Sequence, residues 1–218
     1  MSFKVLFKDE LRGLYTSKAM LVLLVGLPAL VAVLYWATPD ISGMPLTVFA
    51  ALLASSLAGT VAAAMVAVGI MNEKSRNVYD LFLVRPVKAA HIMLSKFGAS
   101  FLFVTLAVLI SIGVGMAFDV YRGNALTGDG LVVLGRSIAM SVSMIAVASA
   151  VGVVIGAAIS SVLAGVILVL YGGNQLVGLV ALFSMNMSDK LVVQLAVPAA
   201  LCAVLLFVAV EVFKRKRQ

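Results

Sequence analysis

Charge is scarce in this chain, at 11% of residues against about 25% in an ordinary soluble domain. With 63% apolar residues and a mean hydropathy of +1.18, it has too little polar surface to cover a body in water, so lipid must solvate most of it. Cysteine and histidine are nearly missing. Cys202 stands alone inside an apolar run, which excludes a disulfide framework and a CxxC site. His91 is the only histidine and lies at the edge of a run. No His or carboxylate cluster suits a catalytic metal, and no GxSG stretch supplies an intramembrane serine nucleophile. Mid-run Asp, Glu and His are also lacking, which argues against a proton- or sodium-coupled carrier, since such carriers need an intramembrane group that titrates or ligates. None of the 18 glycines is followed by lysine, so there is no phosphate-cradling G-x-x-x-x-G-K-[ST] loop, and the chain cannot hydrolyse ATP by itself. No catalytic residues are assigned. The formal charge of +7 collects at the ends of apolar runs rather than on a nucleic-acid-binding face.

What is present is hydrophobic length. Six apolar runs approach or exceed the roughly 20 residues needed to cross the hydrocarbon: 19–37, 46–71, 91–118, 131–157, 160–183 and 191–213. The stretch from 131 to 183 is too long for one span, and GAAISS at 156–161 is the expected turn. The first run is longer than a signal-peptide core and has no small-residue cleavage site after it. Before it, residues 2–16 place Phe3, Phe7, Leu11 and Leu14 at helical spacing, with Lys4, Lys8 and Arg12 on another face. This pattern predicts an amphipathic helix in the membrane interface. The fold class is therefore an all-α polytopic membrane protein, with residues 1–218 as one transmembrane domain.

With the N-terminus inside, 13 of the 16 basic residues fall on the cytoplasmic side, leaving Arg122, Arg136 and Lys190 outside. Such asymmetry over short loops places both termini in the cytoplasm. Arg136 either snorkels to the outer face or lines an outer vestibule.

The one substantial polar stretch between long runs is 72–96, which carries eight of the 26 charged or histidine side chains. Within it, 72–84 reads as a short helix that must stop near Pro86, which disfavours helical backbone at the residue before it. A stub that is apolar on one side and charged on the other suits docking to a cytoplasmic partner.

These residues carry a resemblance. The stretch is similar to the segment between the second and third spans of the membrane subunits of type 2 ABC exporters. Glu73 and Lys74 match the acidic-basic start, Asp80 the acid, Leu81, Phe82 and Leu83 the apolar turn, Pro86 the proline and Lys96 the closing lysine. Asn77 and Val78 replace the usual Gly-Thr pair, and Lys88 stands where a serine is common. The resemblance implies a permease subunit in a prokaryotic inner or plasma membrane. A second permease copy (homodimer or related heterodimer) would pair with it, and two ABC ATP-binding subunits, holding ATP and Mg, would bind beneath. The 72–90 element would be the coupling helix, with Glu73, Arg76, Asp80, Leu81, Phe82, Pro86 and Lys96 carrying the coupling. The cargo implied is a small hydrophobic or amphipathic compound. The alternatives are a non-transporting membrane partner of an ABC ATPase, acting in assembly or signalling, and more remotely a haem- or copper-related permease.

Inside the membrane, small residues recur every fourth position: Ser55, Gly59 and Ala63, then Gly152, Gly156 and Ser160. Such stripes let helices approach closely. The second and fifth spans line the path in the resembled family, which makes Ser55, Ser56 and Thr60 candidates for lining. Tyr171-Gly172-Gly173-Asn174-Gln175 weakens the fifth span. Asn174 and Gln175 either cap a break there or face the substrate path, and 174–195 either dip back into the membrane, as in that family, or form one straight span. Methionines toward the outer half suit an adaptable apolar wall better than a copper site.

Overall fold

Long apolar runs in lipid have no water to satisfy their backbone, so each must close its hydrogen bonds within itself. The computed structural model describes residues 3–37, 46–76, 88–123, 128–186 and 191–216, and among them every element is helical and no strand occurs. The order is α1 (Phe3–Tyr15), α2 (Lys18–Ala37), α3 (Leu46–Ser75), α4 (Ala89–Tyr121), α5 (Gly128–Ala158), α6 (Val162–Leu168), a π-helical turn (Val169–Gly173), α7 (Asn174–Asn186) and α8 (Leu191–Lys216). Six stretches are long and apolar enough to cross a membrane, with α6, the π turn and α7 forming one of them.

α3 and α4 outrun the expected spans. At a rise of about 1.5 Å per residue, 30 and 33 residues reach well beyond a hydrocarbon core of about 30 Å. Residues 72–75 therefore continue α3, and 89–90 already belong to α4. The stub expected from 72 to 90 is described only at its two ends, each continuous with a span. Asp80, Leu81, Phe82 and Pro86 lie outside the described residues.

α5 ends at Ala158, where the turn was expected, and the Ser161 hydroxyl accepts from the Ala164 N–H to start α6. The glycine pair does not break the fifth span. Instead the helix widens by one π turn, and the Asn174 N–H bonds back to Val169 O as well as Tyr171 O. That turn has a packing consequence. Gly165, Val169, Gly173 and Val177 are all buried, at a four-residue spacing that drifts around a regular α-helix. The wider turn takes the drift back and keeps them on one face. The helix then runs on to Asn186, so no dip into the membrane occurs between 174 and 186, while 187–190 lie outside the described residues.

α3 sits at the centre. Its Ala51, Ala54, Ala58 and Ala62 pack against Leu23 and Leu27 of α2 and Phe103, Val104 and Val108 of α4. Ala63 and Ala67 meet Met144, Val147 and Val151 of α5. Val66 and Ile70 join Met93, Ala157 and Phe213 near the α1 end of the bundle. The small-residue stripes of α3 and α5 do meet. A Cβ at Gly152 would lie 2.4 Å from the Ala63 carbonyl oxygen, and one at Gly59 3.1 Å from the Ala148 methyl. Only glycine at 152 lets the two backbones come this close, as expected of small residues at a helix interface in lipid.

Candidate functional site

A lysine in the first turns of a long apolar helix must either snorkel to water or find an anion. Lys96 finds two. Its side chain is 7% exposed, and Nζ lies 2.6 Å from Glu10 Oε1 and 2.5 Å from Glu73 Oε1. Three elements converge here: Glu10 from α1, Glu73 from the last turn of α3, and Lys96 from α4. A buried charge is tolerated only when paired and hydrogen-bonded. Here one ammonium serves two carboxylates, so its removal would leave two like charges facing each other.

The triad is framed by aromatic packing that docks α1 on α4. Phe3 stacks on Phe7 at 5.8 Å and meets the His91 ring edge-on at 6.3 Å. Phe7 lies under Gly98, where an added Cβ would come within 3.1 Å of its ring. Leu6 and Leu14 pack on the core clusters. Part of the apolar face of α1 therefore rests on this chain's own bundle, while Phe3, Val5, Lys4, Lys8 and Arg12 are exposed.

Next to Glu73, Lys74 serves another element. Its Nζ donates to the carbonyl oxygens of Gly156 and Ala157 in the last turn of α5. Those carbonyls have no donor within their own helix, and a cation complements that end of the helix dipole. The far end of the bundle repeats the device with both signs. The Asp119 carboxylate accepts from the N–H groups of Leu46 (3.1 Å) and Thr47 (2.8 Å) and from the Thr47 hydroxyl, closing the first turn of α3. Arg122 donates to Tyr35 O at 3.1 Å near the end of α2, its guanidinium 4.3 Å above the Tyr35 ring. Tyr35 in turn stacks on Phe118 at 4.2 Å. Sequence reasoning passed over Asp119. The available signal was an acid in the last turn of a span, where the helix dipole disfavours it unless a neighbouring helix start takes it up.

Of the expected coupling residues, the structure brings Glu73 and Lys96 together and leaves Arg76 exposed. Of the expected path residues, Ser55 is fully buried, donating to Ala51 O at 2.6 Å and lying 3.6 Å from Met144 Sδ. Ser56 and Thr60 are half-buried, and Thr60 donates to Ser56 O at 2.9 Å. Asn174 and Gln175 are exposed, at the midpoint of the helix running from Val162 to Asn186. Two contacts put them at the depth of Thr60. Gly59 rests on Ala148, and Gly173 on Val151 three residues further along α5, about 4.5 Å along its axis. An amide unpaired in hydrocarbon costs about 4–8 kcal/mol by water-to-cyclohexane transfer. Among the described residues no group of three or more His, Cys, Asp or Glu side chains is placed to hold a metal ion.

Fold and site together define a multi-pass helical membrane protein whose helix ends are held by charged side chains of neighbouring helices. No protein-family model matches the chain, and no curated protein matches it either.

Proposed function

We propose that this chain is the permease subunit of an ATP-driven exporter of the type 2 ABC class, moving small hydrophobic or amphipathic molecules outward. Two copies enclose the path. A separate ATPase seats on the segment between α3 and α4, on the cytoplasmic side, with Asp80, Leu81, Phe82 and Pro86 at the contact. Ser56 and Thr60 face the path, and Ser55 braces α3 against α5 behind them. No cofactor is held in this chain, and ATP and Mg belong to the ATPase.

The observation that carries this reading is the Lys96 triad. A push on the segment after α3 matters only if its root is fastened to something that moves with it. Glu73 is that root, and Lys96 fastens it to α4 and, through Glu10, to α1. In this mechanism ATP-driven closure of the two ATPase subunits displaces α3 and α4 together and opens the path between the copies. Alternating access then needs no titrating group at mid-depth.

The test is transport by the complex purified from its native membrane and reconstituted in liposomes. ATP added on the ATPase side should drive accumulation of a fluorescent amphipathic cation such as a rhodamine. No uptake with ATP, or uptake driven by a proton gradient without it, would refute the reading.

A further inference from the structure

We infer that the outward face of the helix running from Val162 to Asn186 is the surface on which a second copy of this chain packs, with Asn174 and Gln175 hydrogen-bonded across a two-fold axis. This deepens the pairing assumed above by assigning its surface, and it holds or fails without reference to an ATPase.

One side of this helix is spent on the chain's own core, through Gly165, Val169, Gly173, Val177 and Val180. The other side carries Tyr171 at 76% exposure and Leu179 and Leu182 at 61% each, with Asn174 and Gln175 exposed among them. The amides sit at the middle of the span, at the depth where lipid offers neither donor nor acceptor. Exposed faces at similar depth elsewhere are apolar, as with Leu102, Leu106 and Leu109 on α4 or Val204 and Phe207 on α8. Those suit acyl chains, whereas the amide face does not.

A second observation is independent of the first. Gly172 and Gly178 lie on the exposed side, and a Cβ added at either would meet nothing within 4 Å. Glycine weakens a helix relative to alanine, and here no close contact within the chain requires it. A neighbouring backbone approaching from outside does, since small residues let helices close up in lipid.

Self-pairing follows from the chemistry of the carboxamide. Each has a donor and an acceptor, so the same face rotated by 180° presents the complement of every group. An isologous dimer therefore satisfies Asn174 and Gln175 with no other partner. Thr60 is half-buried at the same depth on α3.

Two measurements in bilayers test the inference. In a Cys202→Ala background, Gln175→Cys should form disulfide-linked dimers on mild oxidation in the membrane, well above Leu106→Cys and Phe207→Cys controls. Yields no higher than the controls, or cross-links to a different protein, would overturn it. In the otherwise unaltered chain, Asn174→Leu with Gln175→Leu should raise the dimer dissociation constant in vesicles on the order of tenfold or more. Thermal unfolding in detergent should stay unchanged, because neither side chain packs in the core. Unchanged association would also overturn the assignment, and it would leave the Lys96 coupling untouched.

Discussion

Asp119, in the last turn of α4, closes the first turn of α3 by accepting hydrogen bonds from both the N–H and the hydroxyl of Thr47. At the other end of the same helix pair, Lys96 of α4 holds Glu73 of α3. α3 and α4 are thus pinned to each other at both ends, with the apolar packing of Ala54, Ala58, Val104 and Val108 between the pins. Pins at both ends resist sliding of one helix along the other. That gives a mechanical reason why force applied at the α1 end would reach the far end.

Replacing Asp119 by alanine should cost about 1.5–3 kcal/mol, the range for hydrogen bonds to a charged group. Buried N–H groups of Leu46 and Thr47 would be left without an acceptor. Asp119→Asn should recover part of the loss, since its carbonyl oxygen still accepts. Equilibrium unfolding in mixed detergent micelles measures both. A double cycle with Thr47→Val should return a coupling of about 0.5–3 kcal/mol, and no coupling would mean that the short contact between the two side chains carries no energy.

Lys96→Met leaves two carboxylates, each about a third exposed, facing each other without their shared ammonium, and about 1.5–3 kcal/mol of stability should go with the lost charged hydrogen bonds. The informative comparison is the triple variant Lys96→Met, Glu10→Gln, Glu73→Gln. With the like charges removed, most of the stability should return, because a neutral site no longer pays for buried charge. A triple variant as unstable as the single one would show that the lysine stem, not its charge, holds α1 to α4.

At the α3–α5 contact, Gly152→Ala drives a methyl into the Ala63 backbone, and overpacking of that kind costs about 1–3 kcal/mol. Gly113→Ala on α4, where a Cβ meets nothing within 4 Å, is the control and should be neutral or slightly stabilising. Unfolding midpoints of the two variants separate close packing from helix propensity.

The helices were legible because lipid imposes a length that the sequence must declare openly. Six apolar runs, the turn at 156–161 and the small-residue stripes of α3 and α5 follow from that requirement and from close packing. The charged caps were not legible. Asp119 meets Thr47 across 72 positions and Lys74 meets Gly156 across 82, and no local pattern marks such a partner. The π turn was hidden for a different reason. Gly172-Gly173 signals a weak helix, but whether the chain breaks or widens depends on keeping Val169, Gly173 and Val177 against α5 and α3. The docking of α1 was half-legible. Its amphipathic period was plain, but the period alone does not say whether the apolar face meets lipid or protein, and Phe7 chose the Gly98 surface.

The central claim, that a separate ATPase drives this body through the segment between α3 and α4, is tested most directly by ATP hydrolysis in the reconstituted complex with Asp80→Arg in that segment. The account predicts that hydrolysis falls to the rate of the isolated ATPase while the spans keep their wild-type unfolding midpoint. Full substrate-stimulated hydrolysis in Asp80→Arg, or a chain that transports with no nucleotide-hydrolysing companion present, would contradict it.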